Sequence, residues 1–362
     1  MSVSQKSSRR LNRITVRGTN REMGRQYGEA CRDSIKSLVN VGLEIINRGQ
    51  QISREEALAW GHRYLPHLEK FCPHLIEELH GLAEGADISF EEALFAQIRT
   101  ELTYPAATQE GCTAFALTKE CSATGEVIAG QNWDTPSEFE ELLMLLHIVP
   151  DEGPEALMYC VPGVIGYMGF NSEGIAQFAN QLVAGSWGEG VPHYFLKRRM
   201  MESSTFDECV ALAQDYRFSS SANIVLASKE GKVANLEVLP GEIAVLTDPS
   251  GAVTHTNHCQ HPPFQAKDQL APSFEVDTFE RLDRIREYMR SNGIESGGKL
   301  GVDDMKRILS DHDGRPKSIC RHQGGNPNIS KTTLSLIIEP AAGCMHVALG
   351  NPCENEYITY SL

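Results

Sequence analysis

A cysteine that follows a glycine where helical texture gives way to strands has a specific chemical use, and Glu110-Gly111-Cys112-Thr113 is such a junction. The Cys112 thiol can attack the carbonyl of Gly111 and convert that amide to a thioester. Water then cleaves the thioester and leaves Cys112 as a new N-terminus. The freed α-amine, with a reference pKa of about 7.7–8.0, is near enough to neutral to act as general base for its own thiol. Glycine before the bond is expected to permit the strained backbone such an attack needs. An ordinary buried cysteine is the plain alternative. Gly130-Gln-Asn-Trp-Asp134, at the end of the next expected strand, offers a carboxylate that is otherwise a strand-end turn residue.

Other constellations carry less. His255-Thr-Asn-His258-Cys259-Gln-His261 gathers three imidazoles and a thiol, as a zinc site would. Pro262-Pro263 follows it, no glutamate base lies inside it, and no second cysteine pair stands at ligand spacing. A structural or oxyanion use is therefore expected over metal binding. Pro162-Gly-Val-Ile-Gly-Tyr-Met-Gly lacks the Lys-Ser/Thr of a phosphate loop and reads as two strands joined by a turn. His312 and Asp313 fall in a Ser-Asp-His-Asp-Gly turn, and no Gly-x-Ser-x-Gly elbow occurs.

Taken in order, Gly111-Cys-Thr, Gly130-Gln-Asn-Trp-Asp134, Gly169-Phe-Asn-Ser-Glu-Gly174 and His255-Thr-Asn-His258 resemble the isopenicillin N acyltransferase family, the C45 peptidases. Arg21-Glu-Met-Gly-Arg-Gln-Tyr-Gly28 is similar to that family's opening helix. The family is one of self-cleaving N-terminal-nucleophile enzymes, related in fold to penicillin V acylase and bile salt hydrolase. The resemblance spans about residues 11–351. It implies Cys112 as nucleophile and, through its amine, as base, with self-cleavage between Gly111 and Cys112. Asp134 would orient the amine. Asn257 would supply an oxyanion-hole amide, a donor worth about 2.7–4 kcal/mol in the transition state. Asn180, in Phe-Ala-Asn-Gln, is a second oxyanion candidate by analogy with the bile salt hydrolase branch. The family also uses a late serine and arginine, matched here by Ser318 and Arg321 in Ser-Ile-Cys-Arg-His. Lys331-Thr-Thr-Leu competes for part of that match, and Arg321 also reads as a surface arginine.

The elements that must position these residues divide in two. Residues 20–102 read as helices, about Asn20–Arg48, Glu55–Phe71, Leu75–Ala83 and Ser89–Leu102, with Ser53-Arg-Glu-Glu and Ser89-Phe-Glu-Glu as capping boxes. Pro66 marks a kink or an early end in the second of them. A first strand is expected at Leu11–Arg17. After about residue 110 short apolar runs alternate with turn signals, from Cys112–Leu117 through Ile175–Asn180, then Ala222–Ala227, Val233–Leu239 and Ile243–Leu246. Helices are expected at His193–Met201, Thr205–Gln214, Phe274–Arg290 and Val302–Leu309, and late strands at Thr333–Ile338 and Met345–Leu349. Hairpins with helices in blocks indicate α+β with antiparallel sheets. The resemblance sharpens this to an N-terminal-nucleophile four-layer αββα sandwich of two stacked sheets.

The chain has 362 residues, 41% hydrophobic and 22% charged, which excludes intrinsic disorder. Its longest uncharged apolar run, Leu142–Val149, is far too short to span a bilayer. A formal charge of −15 argues against nucleic acid as a partner. Residues 1–111 are net −1 and residues 112–362 net −14, while the first 25 residues hold seven basic positions and one acidic. Met1–Arg10 is expected to be a disordered tail, with organelle targeting as the alternative. Ten cysteines without a close framework suggest mostly buried thiols in a reducing, cytoplasmic setting.

The expected protein is one domain made of two fragments, 1–111 and 112–362. It would attack a linear amide of a small N-acyl compound through a Cys112 acyl-enzyme, with no metal or redox cofactor. Acyl transfer from acyl-CoA to an amine is the alternative. Lys197-Arg198-Arg199 is the one basic cluster of the second fragment, and it is expected on a helix's solvent face rather than on CoA phosphates. A catalytically inactive ligand-binding homologue is the rival from another class, and a homo-oligomer is left open.

Overall fold

The computed structural model describes residues 6–49, 51–103, 111–269, 277–315, 318–324 and 330–362. Glu110, just before the expected cleavage bond, lies outside them.

The chain opens with strand β1 (Asn12–Gly18) and continues as helices α1 (Asn20–Gly49), α2 (Arg54–Ala59), α3 (Leu65–Phe71), α4 (Pro73–Ala86) and α5 (Phe90–Thr103). The capping boxes at Ser53 and Ser89 form as expected. The helix expected over Glu55–Phe71 is broken: a 3₁₀ turn at Trp60–Arg63 separates α2 from α3, and Pro66 sits in the first turn of α3. Proline is tolerated there because the first helical N–H groups have no intrahelical partner.

The glycines of the opening motif have a packing reason. α1 and α4 cross with backbones in contact, and a Cβ on Gly24 would stand 2.0 Å from the Glu78 carbonyl oxygen. Gly81 and Gly85 of α4 answer in kind, 2.0 Å and 2.1 Å from the carbonyls of Arg21 and Arg25. Gly-x-x-x-Gly on both helices lets them meet at main-chain distance.

Strands β2 (Gly111–Leu117), β3 (Ile128–Thr135), β4 (Met144–Pro150), β5 (Ala156–Cys160), β6 (Met168–Asn171) and β7 (Ile175–Gln181) come next. Helices α6 (His193–Met201) and α7 (Phe206–Gln214) follow, then β8 (Ala222–Ser228), β9 (Val233–Leu239), β10 (Glu242–Leu246) and β11 (Ala252–His255). The chain finishes with α8 (Pro262–Gln265), α9 (Thr278–Ser291), α10 (Val302–Leu309), β12 (Lys331–Glu339), β13 (Cys344–Leu349) and β14 (Ile358–Ser361). The strand expected from Val164 begins only at Met168, and residues 274–276 of the expected Phe274–Arg290 helix lie outside the described residues.

Two sheets result, ordered β1-β4-β5-β6-β7-β8-β9-β10 and β11-β2-β3-β12-β13-β14. Neighbours are antiparallel except β1 and β4, which run parallel. Successive residues of β2 face opposite ways. Ala114 and Ala116 join the core between the sheets, with Phe178 and Leu226 of the larger sheet. Phe115 and Leu117 join a second core with Leu282 and Ile285 of α9 and Ile308 of α10. Helices α1, α6 and α7 pack on the larger sheet, and α9 and α10 on the smaller, giving the expected αββα layers.

Two expectations are corrected. Residues 6–10 of the supposed tail are ordered: Ser7 N donates to Glu354 O at 2.9 Å, Glu356 N donates to Ser7 O at 2.8 Å, and Arg9 pairs with Glu140 and Glu141. Residues 1–5 lie outside the described residues. The basic run Lys197-Arg198-Arg199 is not a solvent face either, since Lys197 and Arg198 are 4% and 2% exposed. Arg198 forms a buried two-pronged pair with Glu78 of α4, which offsets the cost of burying both charges.

Candidate active site

The β2–β3 hairpin register explains the spacing of the first two motifs. Gly111 pairs with Asp134 and Cys112 with Trp133. On the other side of β2, His255 of β11 pairs with Ala114, so a continuation of two residues brings Asn257 level with Cys112. The bond is made by side chain: Cys112 N donates to Asn257 Oδ1 at 2.7 Å. Asn257 Nδ2 donates to Gln181 O at 3.1 Å, and Arg281 Nη2 donates to Asn257 Oδ1 at 3.0 Å. These partners fix the amide orientation, which puts the Asn257 oxygen, not its NH₂, toward the Cys112 nitrogen.

Asp134 is fully buried. Its Oδ1 accepts from Thr332 Oγ1 at 2.7 Å, and its Oδ2 accepts no hydrogen bond. A Cβ built on Gly111 would stand 2.8 Å from that free Oδ2 and 3.1 Å from both terminal nitrogens of Arg321. Gly111 lies in an extended strand and is not among the glycines with positive φ. Its glycine identity therefore answers a need for room beside the carboxylate and not the strained backbone expected from the sequence. Burial raises the Asp134 carboxyl above its ordinary pKa, against the opposing pull of Arg321 and Arg281.

Behind Asp134 lies an ion-pair cluster. Asp277, at the start of α9, accepts from Arg281 Nε at 2.8 Å and also pairs with Arg321. Burial pushes the Asp277 carboxyl up, but the two guanidiniums outweigh it and hold the pKa low. Arg281 also donates to the Cys112 carbonyl oxygen and to Thr113 Oγ1, at 2.9 Å for the latter. Arg321, only 12% exposed, is not a surface residue. Its Nε is 3.9 Å from Asp134 Oδ2, and its Nη1 donates to Ser330 Oγ at 2.6 Å. The two competing late segments thus both contribute, Arg321 from one and Thr332 from the other. Ser318 is buried, with its hydroxyl turned to the Cys320 carbonyl at 2.8 Å and not into this cluster.

A recess between the sheets is lined by Cys112, Trp133, Tyr167, Asn180, Tyr194 and Lys197, among others. Asn180 Oδ1 accepts from Asn223 at 3.0 Å, while its Nδ2 is buried without a partner. An orphaned amide donor lining the same recess as Cys112 is what an oxyanion hole requires before substrate arrives. Lys197 places its ammonium 5.0 Å from the ring centres of both Tyr167 and Tyr194. The three imidazoles of the His-rich run are engaged structurally: His255 bonds buried Glu237 at 2.9 Å, His258 bonds Thr278 at 2.9 Å, and His261 packs on Phe264.

Sequence reasoning did not single out Arg281 or Asp277; it met Thr332 only inside the competing Lys331-Thr-Thr-Leu match and placed Lys197 on a helix's solvent face. Arg281 and Asp277 sit i, i+4 at the head of an expected helix, a spacing common on any solvated face. Strand register alone would have placed Thr332 beside Asp134, because it pairs with that residue across β3 and β12.

The chain is similar to several known proteins. A curated relative, the 40 kDa form of acyl-coenzyme A:6-aminopenicillanic-acid-acyltransferase from Emericella nidulans, is 26% identical over 356 residues, covering 96% of each chain. A mutant of conjugated bile acid hydrolase from Clostridium perfringens matches in structure with a TM-score of 0.50 at 13% identity. That match covers 69% of this chain and 97% of the other. Penicillin V acylase from Agrobacterium tumefaciens matches with a TM-score of 0.43 at 14% identity, covering 66% and 83%. The fold is that of the N-terminal-nucleophile hydrolases. The profile of the family described as acyl-coenzyme A:6-aminopenicillanic acid acyl-transferase matches residues 118–354, which include Asp134, Asn180, Asn257 and Arg321, and the chain belongs to that family.

Proposed function

We propose that this enzyme matures by cleaving its own Gly111–Cys112 bond and then hydrolyses a linear amide of a small N-acyl compound through a Cys112 thioester. The observation that carries the reading is the pair of unmet hydrogen-bonding atoms around Cys112: Asp134 Oδ2 beside Gly111 and Asn180 Nδ2 on the recess wall. In maturation, Sγ of Cys112 attacks the Gly111 carbonyl carbon and the amide nitrogen takes a proton, giving a thioester. The C–N bond breaks in that step and frees the Cys112 amine; water then attacks the thioester and the C–S bond breaks, releasing the Gly111 carboxylate and the Cys112 thiol. The amine inherits Asn257 Oδ1, which already holds the same nitrogen, and gains Asp134 Oδ2 as a second acceptor. It then takes the thiol proton as the thiolate attacks substrate, and returns it to the leaving amine. Asn180 Nδ2 donates to the developing oxyanion.

Trp133, Tyr167 and Tyr194 supply apolar surface for an acyl group. Lys197 beside the two tyrosines favours a substrate with an anionic group near the scissile amide. Acyl transfer to an amine is the second reading, and the family match and the Emericella nidulans relative favour it. The residues of the second fragment, net −14, do not favour a polyanionic CoA donor. The thioester serves both reactions, so the acceptor that reaches it decides the product.

Denaturing mass spectrometry should resolve two fragments, 1–111 and 112–362, and Cys112→Ala should leave one chain of 40.0 kDa without activity. With an N-acyl amide as substrate, free acid should predominate even when a competing amine is present. Consumption of acyl-CoA only when an amine is added, with little free acid, replaces hydrolysis by transfer. A fully active uncleaved chain removes the maturation step altogether.

A further inference from the structure

Outside the active site, His312, Cys320, His322 and Cys353 turn one ligand atom each toward a common point, all within 4.8 Å of one another. The separations are those of a coordination shell. Cys320 Sγ and Cys353 Sγ are 3.6 Å apart, His312 Nε2 and His322 Nε2 3.1 Å, and His322 Nε2 lies 3.7 Å and 3.3 Å from the two sulfurs. A tetrahedral zinc with bonds of about 2.3 Å to sulfur and about 2.0–2.1 Å to imidazole nitrogen needs S···S of about 3.8 Å, S···N of about 3.6 Å and N···N of about 3.3 Å. The sulfurs are too far apart for a disulfide, whose S–S bond is about 2.05 Å. Two imidazole nitrogens facing each other at hydrogen-bond distance can satisfy only one donor between them. Adding two sulfurs to that point makes a convergence of lone pairs that a soft divalent cation resolves.

The surroundings fit the same use. Asn351 Nδ2 donates to Cys320 Sγ at 3.4 Å, a bond that stabilises a metal-bound thiolate, and to the Arg321 carbonyl at 2.7 Å. Glu354 Oε1 stands 3.8 Å from His322 Nδ1, on the ring nitrogen that faces away from the cluster. Outer carboxylates and amides of this kind orient metal ligands. Cys320 is fully buried, whereas the other three residues are half-buried, so an ion has a route in.

We propose that these four residues form a structural zinc site that fixes the placement of Arg321. The ligands come from three separate segments: the turn after α10, the stretch Ser318–His322, and the turn after β13. Cys320 and His322 flank Arg321, whose guanidinium bonds Asp277 and stands beside Asp134. Ordering that stretch by metal therefore sets the position of a charge behind the nucleophile's carboxylate. Four ligands close the zinc shell, leaving no open position for catalysis. The sequence reading expected no metal and did not consider this group, whose Cys353 lies 31 residues beyond His322, outside any local zinc-ligand spacing.

The test is elemental analysis of the full-length protein grown without added metal, together with cobalt substitution of the chelator-treated protein. About one zinc per chain is expected, as are the intense visible bands of a tetrahedral two-thiolate cobalt(II) centre. Cys353→Ser should lower the zinc content at least tenfold and lower the melting temperature. Should that variant fail to fold, the cobalt spectrum of the wild type decides. Less than about 0.1 zinc per chain with no thiolate–cobalt band overturns the proposal. So does a Cys320–Cys353 disulfide in a non-reducing peptide map of the native protein, or a zinc content unchanged in Cys353→Ser.

Discussion

At the residue scale the two asparagine amides are oriented differently from what their sequence-based assignment expected. The resemblance made Asn257 the principal oxyanion donor, yet its carbonyl oxygen holds the Cys112 nitrogen and its NH₂ group donates to Gln181. Asn180 Nδ2 is the orphaned donor on the recess wall. Asn180→Ala should therefore lower kcat by about 10²–10³-fold with little change in KM, while leaving self-cleavage largely intact. Asn257→Ala should slow self-cleavage itself, because the nitrogen of the scissile amide loses its acceptor. Time courses of chain cleavage and steady-state kinetics on the two variants separate these outcomes. Unchanged kcat in mature Asn180→Ala enzyme removes that residue from the oxyanion hole. Asp134→Asn should keep the fold and lose at least about 100-fold in rate, since the amine then lacks its charged partner.

Cys112 was singled out because a thiol after glycine can attack the preceding carbonyl, and Asp134 because its motif resembles the family's; the β2–β3 register sets the two motifs side by side. Asn257 was legible as a residue but not as an orientation, since an amide's facing is set by neighbours such as Arg281 that no local motif contains. Lys197 was misread for a related reason. A basic triplet is normally solvated, and what buries it here is the distant Glu78 paired with its neighbour Arg198.

At the element scale, register does most of the positioning. β2 is an interior strand, between β3 and β11, so its first residues have Asp134 on one side and Asn257 on the other. The expected strand ends lay close to the observed ones because apolar runs and turn residues bracket them. The broken helix at Trp60–Arg63 was less legible, since its sequence carries no strong breaker before Pro66. The contact on the β11 side depends on a buried neutral histidine. Burial, then the charges of His255, Arg281 and Arg286, push the His258 imidazole down from its ordinary value to about 4. A folded-state pKa below the unfolded value gives stability that is present above about pH 6.5 and lost as pH falls toward 4, because the unfolded chain takes up the proton first. Melting temperature should therefore drop across that window. His258→Gln should reduce the drop, narrowing its stability deficit as pH falls. Parallel melting curves for the two proteins between pH 7 and pH 4 would assign the acid loss to other groups. Because His258 and Asn257 N share Thr278 Oγ1, activity should fall over the same window.

At the scale of the whole molecule, the proposed cleavage at Gly111 would divide the sequence but not the fold. β1 pairs with β4 along all seven of its residues, so the first fragment supplies the edge strand of a sheet built otherwise from the second. Met23, Ile35, Leu79 and Phe95 from its helices share one core with Leu146, Phe170 and Leu226 of that sheet. Arg198 and Glu78 form a charge pair across the two fragments with both side chains 2% exposed, and separating them would strand an uncompensated buried charge, at a cost of about 3–5 kcal/mol. Tyr27 of α1 adds a bond, accepting from Gly163 N at 2.8 Å. The proposed cleavage would leave its new termini at β2, an interior strand of the smaller sheet that stays paired with β3 and β11 on its two sides. The mature protein should therefore run as a single species in native mass spectrometry, with the mass of both fragments together, and melt in one cooperative transition. Glu78→Gln should weaken that association by leaving Arg198 without its charge partner, seen as earlier release of the 1–111 fragment in urea. Recovery of an active, folded 112–362 fragment alone after gel filtration would show that the first fragment is dispensable once cleavage is complete.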